Sequence, residues 1–286
     1  MRYRLPNEKT VSFESNYKVE IEFESGKKIS QVVNMTPLFS TTKFGEQYNY
    51  DGELGAIYTK EKTSFKVWSP LSSKVVLKIY NSGTPKSISS SKGNDEVYKQ
   101  VEMVKGEKGV FSYEINGDLE GKYYTYTVTN STYKDKEIVD PYAKACGVNG
   151  LRGMIVDFSK TNPEGFDSIT PHNIDRKALT VYETHIADLT SSSTWTDDSE
   201  LKAKAKTYEA FSTTGTTYTK DQIKVSTGFD HIRELGVNAV QILPIFDQDN
   251  DEINAKFNWG YNPLNYNCLE GAYSNDPFDP TSRITE

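Results

Sequence analysis

The chain has 286 residues, with 33 Lys and Arg residues against 40 Asp and Glu residues and a formal net charge of -7. This length exceeds one typical domain, so two or three folding units are expected. Because charges of both signs are interspersed, a nucleic acid or an anionic membrane is not expected as a partner, and an uncharged ligand fits better.

Residues 1–46 are predicted to form a small β segment. Hydrophobic residues alternate through residues 11–23 and the alternation stops at residues 24–27, a pattern typical of a hairpin with one solvated face. The mixed run at residues 29–44 is predicted to continue as strand. No function follows from this segment.

Residues 47–165 are predicted to form an immunoglobulin-like β-sandwich. Gly, Asn, Ser and Pro residues separate short β-rich runs, as in antiparallel sandwiches. These runs lie at residues 65–68, 75–80, 97–103, 110–115 and 123–129. Trp68 falls in an alternating run, which favours a core position over a sugar-stacking platform.

Residues 166–178 are predicted to be a linker, because the surrounding segment contains prolines and a glycine and has little periodicity. Beyond it we expect a strand at 179–185, a short helical piece at 200–211 and a helix at 227–235. Thr227 and Asp230 have the spacing of a capping box at the start of that helix.

A second strand is predicted at residues 237–243, directly after Gly236. Its β-branched residues and weak polar alternation are typical of a strand buried on both faces in a parallel sheet. Strand, helix and strand in this order predict a βαβ unit. Residues 179–286 are therefore expected to begin a (β/α) barrel.

The segment FNWGYNPLNY at residues 257–266 follows this second strand and is rich in aromatic and Asn residues. Active sites of α/β barrels lie beyond the carboxyl ends of the strands. Aromatic faces can stack on a pyranose ring and Asn amides can bind hydroxyls, so the segment predicts sugar binding. The alternative is an aromatic loop that packs on its own domain.

Residues 257–263 resemble a motif of pullulanase-type starch debranching enzymes, in the α-amylase superfamily. The family motif reads roughly Y-N-W-G-Y-D-P, and this chain has F-N-W-G-Y-N-P. Phe257 lacks the Tyr hydroxyl, and Asn262 replaces an acid by a neutral amide. Further segments resemble family segments in the same order, at residues 54–70, 139–157, 181–189 and 270–284.

The resemblance implies a hydrolase that cleaves α-1,6-glucosidic branch points of pullulan, limit dextrin or glycogen with retention of configuration. It implies a multidomain fold: an immunoglobulin-like carbohydrate-binding module at 47–165, then the first two β/α units of an incomplete (β/α)8 barrel at 179–286. Tyr261 is implied as the platform for the sugar at the cleavage point, and Asn258 and Trp259 shape the same loop.

No catalytic residue is predicted within this sequence. Retaining glycosidases need two carboxyl groups about 5–5.5 Å apart. In the family that this chain resembles, these groups follow barrel strands four and five, and a third acid follows strand seven. The family's strand-three segment, which resembles D-V-V-Y-N-H, does not occur here. The chain alone is therefore predicted to be inactive, with the remainder of the barrel as its partner.

Several local acids are expected to have structural or solvated roles, because nothing fixes a short separation between them. They are Glu183, Asp188, Asp247 and Asp249. His185 is the best additional polar candidate for the substrate site, since it falls near the carboxyl end of the first barrel strand. A hydrogen-bonded, partly buried role is favoured over catalysis for this histidine. The corresponding family stretch usually carries Arg where this chain has Ala187.

Metal ions and other cofactors are not predicted. The three histidines are not at ligand spacing, and the chain has no H-E-x-x-H motif and no G-x-G-x-x-G motif after a strand. Cys146 and Cys268 lie far apart in sequence and are expected to be free thiols. The charged amino terminus is not followed by an apolar core and no long apolar run occurs, so the cytoplasm is the expected location.

Two alternatives to a pullulanase-like hydrolase stay open. The first is a non-catalytic α-glucan-binding module. The second is isoamylase, glycogen debranching or branching activity on the same scaffold. The N-W-G-Y sequence favours the pullulanase type, whereas Phe257 and Asn262 weaken that preference.

Overall fold

The computed structural model describes residues 11–171 and 173–286, and its regular structure is mostly β. In chain order the strands are β1 Lys18–Glu22, β2 Lys28–Val32, β3 Gly55–Tyr58, β4 Lys62–Trp68, β5 Ser72–Tyr80, β6 Val97–Glu102, β7 Val104–Lys105, β8 Val110–Asn116, β9 Tyr123–Asn130, β10 Lys136–Ile138, β11 Gly153–Met154, β12 Val181–Thr184, β13 Thr217–Lys220, β14 Ile223–Ser226, β15 Ala239–Ile242, β16 Phe246–Gln248 and β17 Pro263–Leu269.

The α-helices are short. They are α1 Thr42–Tyr48, α2 Ile186–Thr190, α3 Ser199–Ala203, α4 Tyr208–Ser212, α5 Gly228–Glu234 and α6 Pro280–Thr285. Among the residues that the structure describes, none of the helices has the length and hydropathy needed to cross a membrane.

The chain divides into two compact units. The first contains the described part of Met1–Ile79 with Tyr98–Asp118 and Thr125–Asp140, and the second contains Tyr80–Val97, Leu119–Tyr124 and Pro141–Glu286. The sequence-based limits of 1–46, 47–165, 166–178 and 179–286 stay predictions.

The first unit is built around two antiparallel sheets. One sheet has the strand order β3-β4-β8-β7, and the other contains β10-β9-β5-β6. The chain passes from the second sheet to the first at Met103, which is buried between β6 and β7 and donates its backbone N–H to Val75 O at 2.9 Å. The predicted β-sandwich is therefore present, and the five β-rich runs all contain strands.

Side chains of β4 show why this strand lies in a sandwich. Thr63, Phe65 and Val67 are buried, and the residues between them are more exposed, as the two-residue period of a strand requires. Trp68 falls on the outward face, so its predicted core position is wrong. Its indole N–H lies within hydrogen-bond distance of Tyr48 O, at 2.9 Å.

The amino-terminal segment is a hairpin followed by helix. β1 and β2 pair antiparallel, with Ile21 opposite Ile29, which confirms the predicted hairpin. The predicted continuation of strand through residue 44 is wrong, because α1 begins at Thr42. The Thr41 hydroxyl accepts the backbone N–H of Phe44 and caps this helix, a local signal that outweighs the apolar content of the run.

In the second unit, β12 and β15 form a parallel pair, with Val181 opposite Ala239 and Thr184 opposite Ile242. Helix α5 lies between them in sequence, so the predicted strand, helix and strand are present. Burial on both faces was also predicted and is wrong, because Gln241 and Ile242 are exposed. These two strands make up the entire sheet within the described residues.

The start of α5 differs from its predicted capping box. Thr227 occupies the N-cap position, but its hydroxyl donates to the carbonyl of Trp195 and does not cap the helix. Asp230 accepts the backbone N–H of Gly215. The helix ends as predicted, since Gly236 has a φ of +73°, which favours glycine.

The hairpin of β16 and β17 follows β15 and carries the aromatic segment. The two strands pair antiparallel, and the register shifts on either side of Asp247. The segment at 257–262 does not directly follow β15, the strand predicted to precede it, because β16 and residues 249–256 intervene. Such bulges redirect side chains, and here they lie where buried carboxylates meet.

Candidate functional site

We define the aromatic loop as residues 257–262, within the connection between β16 and β17. Asp249 holds both of its ends through backbone groups. Its N–H donates to Asn262 O at 3.0 Å, and its carbonyl accepts the side-chain amides of Asn262 at 3.1 Å and Asn258 at 3.3 Å. The side-chain amides of both Asn residues therefore hydrogen-bond to the backbone that holds the loop.

Gly260 is required by the shape of this loop. Its φ is +88°, and a Cβ at this position would lie 2.7 Å from Pro244 O and 3.0 Å from Pro244 Cβ. Its N–H donates to Asn258 Oδ1 at 3.1 Å. A side chain at Gly260 would therefore meet both a strained backbone and a fixed carbonyl.

The aromatic side chains of the loop face solvent. Trp259 is 63% exposed and Tyr261 is 67% exposed. Phe257 is also exposed and meets Trp259 edge-on, with ring centroids 6.4 Å apart. The alternative of an aromatic loop buried in its own domain therefore fails for these residues, which present apolar ring faces to any approaching ligand.

His185 holds the aromatic loop through a hydrogen bond to the backbone of Asn258. It is 5% exposed and sits at the N-cap of α2, directly after β12, where Nδ1 accepts the backbone N–H of Asp188 at 3.3 Å. The proton is therefore on Nε2, which donates to Asn258 O at 2.9 Å. The structure thus brings together two predicted site residues, 73 positions apart in the chain, and gives His185 the hydrogen-bonded role that was favoured.

Two residues that the sequence did not single out complete this support. The Tyr273 hydroxyl lies 2.9 Å from His185 Nε2 and accepts the side-chain amide of Gln248 at 3.0 Å. Burial raises the pKa of Tyr273 to about 12, so the phenol stays protonated. The only sequence signal for Tyr273 was its place in the family-like segment at residues 270–284.

An open cleft of about 280 Å³ lies beside this network. It is lined by His185, Ala187, Asp188, Ser191, Lys206, Asn250, Ala255, Lys256, Phe257, Asn258, Ala272 and Tyr273. The short side chain of Ala187 and the carboxylate of Asp188 lie next to each other in this lining. Two lysines and one acid give the cleft a polar rim without a charge cluster.

Three buried carboxylates cluster near the β16 and β17 hairpin. Those of Asp247, Glu252 and Glu270 have oxygens within 4.8 Å of one another, and all three residues are buried. The Arg283 guanidinium pairs with Glu252 at 3.1 Å, and Asn265 donates to Asp247 Oδ2 at 2.6 Å. Oxygen clusters of this size can bind a divalent cation. Most of these oxygens, however, already accept hydrogen bonds from protein donors.

Burial shifts the titration of two of these acids. Loss of hydration, with a contribution from the neighbouring Glu252, raises the pKa of Asp247 to about 7 and that of Glu270 to about 8. Glu270 still accepts the backbone N–H groups of Gln248 at 3.1 Å and Ala272 at 2.9 Å. These hydrogen bonds link β16 to residues in and just after β17, and the arrangement offers no carboxylate to a ligand at the surface.

The local acids therefore have the structural or solvated positions expected for them. Asp247 is buried and hydrogen-bonded, whereas Glu183, Asp188 and Asp249 are exposed. Among the described residues, the one cluster of three carboxylates is the buried one.

Comparison with known proteins gives a matching family model and several similar proteins. The family model for carbohydrate-binding module 48 (isoamylase N-terminal domain) matches residues 53–143. A pullulanase from Bacillus subtilis (strain 168) is 34% identical over 254 residues, which cover 86% of this chain and 31% of the relative. The chain is homologous to pullulanases.

Solved pullulanase structures extend the match to three dimensions. The pullulanase from Paenibacillus barengoltzii in complex with maltohexaose and alpha-cyclodextrin has a TM-score of 0.77 at 33% identity, covering 88% of this chain and 38% of that one. The pullulanase from Anoxybacillus sp. LM18-11 complexed with maltotetraose has a TM-score of 0.72 at 34% identity, covering 86% and 34%.

The predicted resemblance is thus confirmed: the chain has a carbohydrate-binding module 48 domain and matches the amino-terminal region of pullulanases. It spans about a third of the length of these relatives.

Proposed function

We propose that this chain is part of a pullulanase-like glycoside hydrolase that cleaves α-1,6-glucosidic branch points in α-glucans such as pullulan, limit dextrin or glycogen. The observation that carries the proposal is the aromatic loop, whose Trp259 and Tyr261 rings are exposed while its backbone is tied to buried groups. Homologous pullulanases have been solved with maltohexaose and maltotetraose, and those ligands belong to the chemical class proposed here.

The proposed binding step uses the residues of the loop in distinct ways. Tyr261 offers a ring face on which a glucose ring stacks, and Trp259 borders the same surface. Asn258 keeps its own position through Asp249 and Gly260, so its contribution is to hold the loop. A rigid loop loses little conformational entropy when it binds a ligand. More of the free energy of its weak contacts with a sugar is therefore retained as affinity.

The catalytic carboxylates are proposed to come from residues outside this sequence. In support, the three clustered carboxylates of the described chain are buried and engaged with Arg283, Asn265 and backbone N–H groups. A retaining mechanism needs two carboxyl groups that reach the glycosidic bond from either side. This chain alone is accordingly proposed to bind α-glucan without hydrolysing it.

The parallel pair β12 and β15 is proposed to be the first two strands of a (β/α)8 barrel. In support, they pair in parallel and are joined through α5, and the aromatic loop lies beyond the carboxyl end of β15. Their exposed apolar residues, such as Val181 and Ile242, are of the kind that further strands and helices cover in a closed barrel. The remainder of the barrel is thus the proposed partner of this surface.

A second candidate function is that of a glucan-binding module without catalysis. The match of residues 53–143 to carbohydrate-binding module 48 favours it, because that match lies outside the aromatic loop. Isoamylase, glycogen debranching and branching activities are further alternatives on the same scaffold.

The test is a calorimetric titration of the intact chain with maltohexaose. Tyr261→Ala is expected to weaken binding about two- to tenfold, since it removes a stacking contact. Tyr133→Ala, at a ring of similar exposure in the first unit, is the matched control and is expected to leave the affinity unchanged. Unchanged binding by Tyr261→Ala would contradict the loop proposal and favour the module.

A further inference from the structure

The fold brings the two cysteines of the chain together. Cys146 and Cys268 are 122 residues apart in sequence, yet their Sγ atoms are 2.8 Å apart. Both side chains are buried. Free thiols were predicted for both cysteines, and both are free in the structure. Their contact was not predicted, because no sequence spacing pairs them.

The backbone on both sides holds this arrangement. The segment around Cys146 pairs antiparallel with residues 152–154: Met154 N–H donates to Ala145 O at 2.7 Å and Gly147 N–H to Arg152 O at 2.8 Å. Cys268 lies in β17, and its thiol is 3.1 Å from Ala143 O. A disulfide bond of about 2.0 Å therefore requires the sulfur atoms to approach by less than about 1 Å.

We propose that Cys146 and Cys268 form a disulfide bond when the chain folds in the presence of a disulfide oxidant such as oxidised glutathione. One cysteine thiolate attacks the oxidant, which releases one thiol and leaves a mixed disulfide on the chain. The second thiolate then displaces the remaining thiol. Two S–H bonds are lost and one S–S bond forms, while the oxidant accepts two electrons and two protons as two thiols.

The two thiols are expected to be oxidised during folding and not after the chain has folded. Once the chain has folded, the neighbouring Cys268 thiol and burial raise the pKa of Cys146 well above its ordinary value, so the reactive thiolate is scarce. Both sulfurs are also shielded from solvent. A disulfide made during folding would, by the same shielding, be protected from reductants afterwards.

The bond would support the proposed sugar site. It would tie residue 146 to β17, which is the strand that follows the aromatic loop in the β16 and β17 hairpin. Because it closes a long loop, it would restrict the unfolded chain more than a short-range bond does. The proposal does not depend on glucan binding, since the thiol contact stands whether or not the loop binds sugar.

The test begins with refolding of the intact chain in parallel, with oxidised glutathione or with a reductant. Thiols are counted by alkylation in denaturant, and the intact mass is measured. The oxidised sample is expected to have no free thiol, a mass lower by two hydrogens, and a cross-linked peptide pair containing residues 146 and 268. Two free thiols, or glutathione adducts in place of the internal bond, would overturn the proposal.

Urea unfolding measures the effect of the disulfide bond on the stability of the chain. The oxidised chain is expected to unfold at a midpoint higher by about 1 M than the reduced chain, as a long closed loop predicts. The Cys268→Ser variant cannot form the bond, so its midpoint should be the same in samples refolded either way after adducts are removed by reductant. An oxidised chain with an unchanged or lowered midpoint would contradict the stabilising role.

Discussion

At the scale of single residues, composition indicated which side chains of the aromatic loop are candidates for ligand contact, but not what holds the loop in place. Trp259 and Tyr261 were predicted from an aromatic segment, and both are exposed. Tyr273 and Gln248 were missed, because Tyr273 contacts His185, 88 positions away in the chain, and Gln248 contacts Tyr273. Spacing rules describe neighbours in sequence, and this network is made of residues that are neighbours only after folding.

Gly260 permits a sharp test of the loop geometry. Gly260→Ala is expected to weaken maltohexaose binding about as much as Tyr261→Ala, roughly two- to tenfold, because the new Cβ would meet Pro244 O at 2.7 Å and displace the adjacent Tyr261. Affinity is measured by titration calorimetry and folding by circular dichroism.

The matched control is Gly236→Ala, at the end of α5. Gly236 also has a positive φ, at +73°, but a Cβ there would meet nothing within 4 Å. It therefore carries a similar backbone strain without the collision. We expect this variant to bind maltohexaose normally, and an equal loss of affinity in both variants would show that general destabilisation, not the loop, is responsible.

At the scale of secondary structure elements, strands were predicted well where both a turn signal and a two-residue period were present, as in β4 and β9. The predictions failed where the hydroxyl of one polar side chain could hydrogen-bond to more than one partner. Thr41 caps α1 and converts an apolar run into helix, whereas Thr227 bonds to Trp195 O and caps nothing. Sequence spacing is the same for a hydroxyl that caps and for one that bonds elsewhere.

The buried acids of the β16 and β17 hairpin predict an unusual pH dependence. Burial raises the pKa of Asp247 to about 7 and of Glu270 to about 8, above the usual values of about 4 for free carboxyl groups. Between about pH 4 and about pH 8, the folded chain therefore binds more protons than the unfolded chain. Stability is therefore expected to fall as the pH rises from about 5 to about 8, by roughly 1 kcal/mol or more.

Other shifted carboxyl groups do not cancel this effect. The pKa values of Asp157, Glu209 and Asp251 are lowered by their hydrogen bonds, so their contribution is lost below about pH 4, outside this window. The measurement is urea unfolding at a series of pH values. Asp247→Asn keeps an acceptor for Asn265 and removes one titrating group, so its stability should depend less on pH. An unaltered slope would contradict the assignment.

At the scale of the whole molecule, the sequence predicted the order of modules but not the contacts that join distant segments. The sandwich strands, the parallel pair and the aromatic loop were all inferred from local patterns. The cysteine contact and the Glu252 to Arg283 ion pair, 31 residues apart, were not, since nothing local encodes them. Burial of β15 was overestimated for a related reason. It depends on what covers the sheet, and the sequence of a strand does not contain that information.

The exposed parallel pair leads to a prediction about association. Val181 and Ile242 lie on strands of a two-stranded sheet and are exposed, and such open strands tend to pair with other chains. We expect the chain to self-associate as its concentration rises, measured by sedimentation velocity. Ile242→Lys should reduce this association, because a charge on an exposed strand opposes pairing. Ile169→Lys, at an exposed residue outside the strands, is the control and should associate as the parent chain does. Equal behaviour of both variants would mean that another surface drives association.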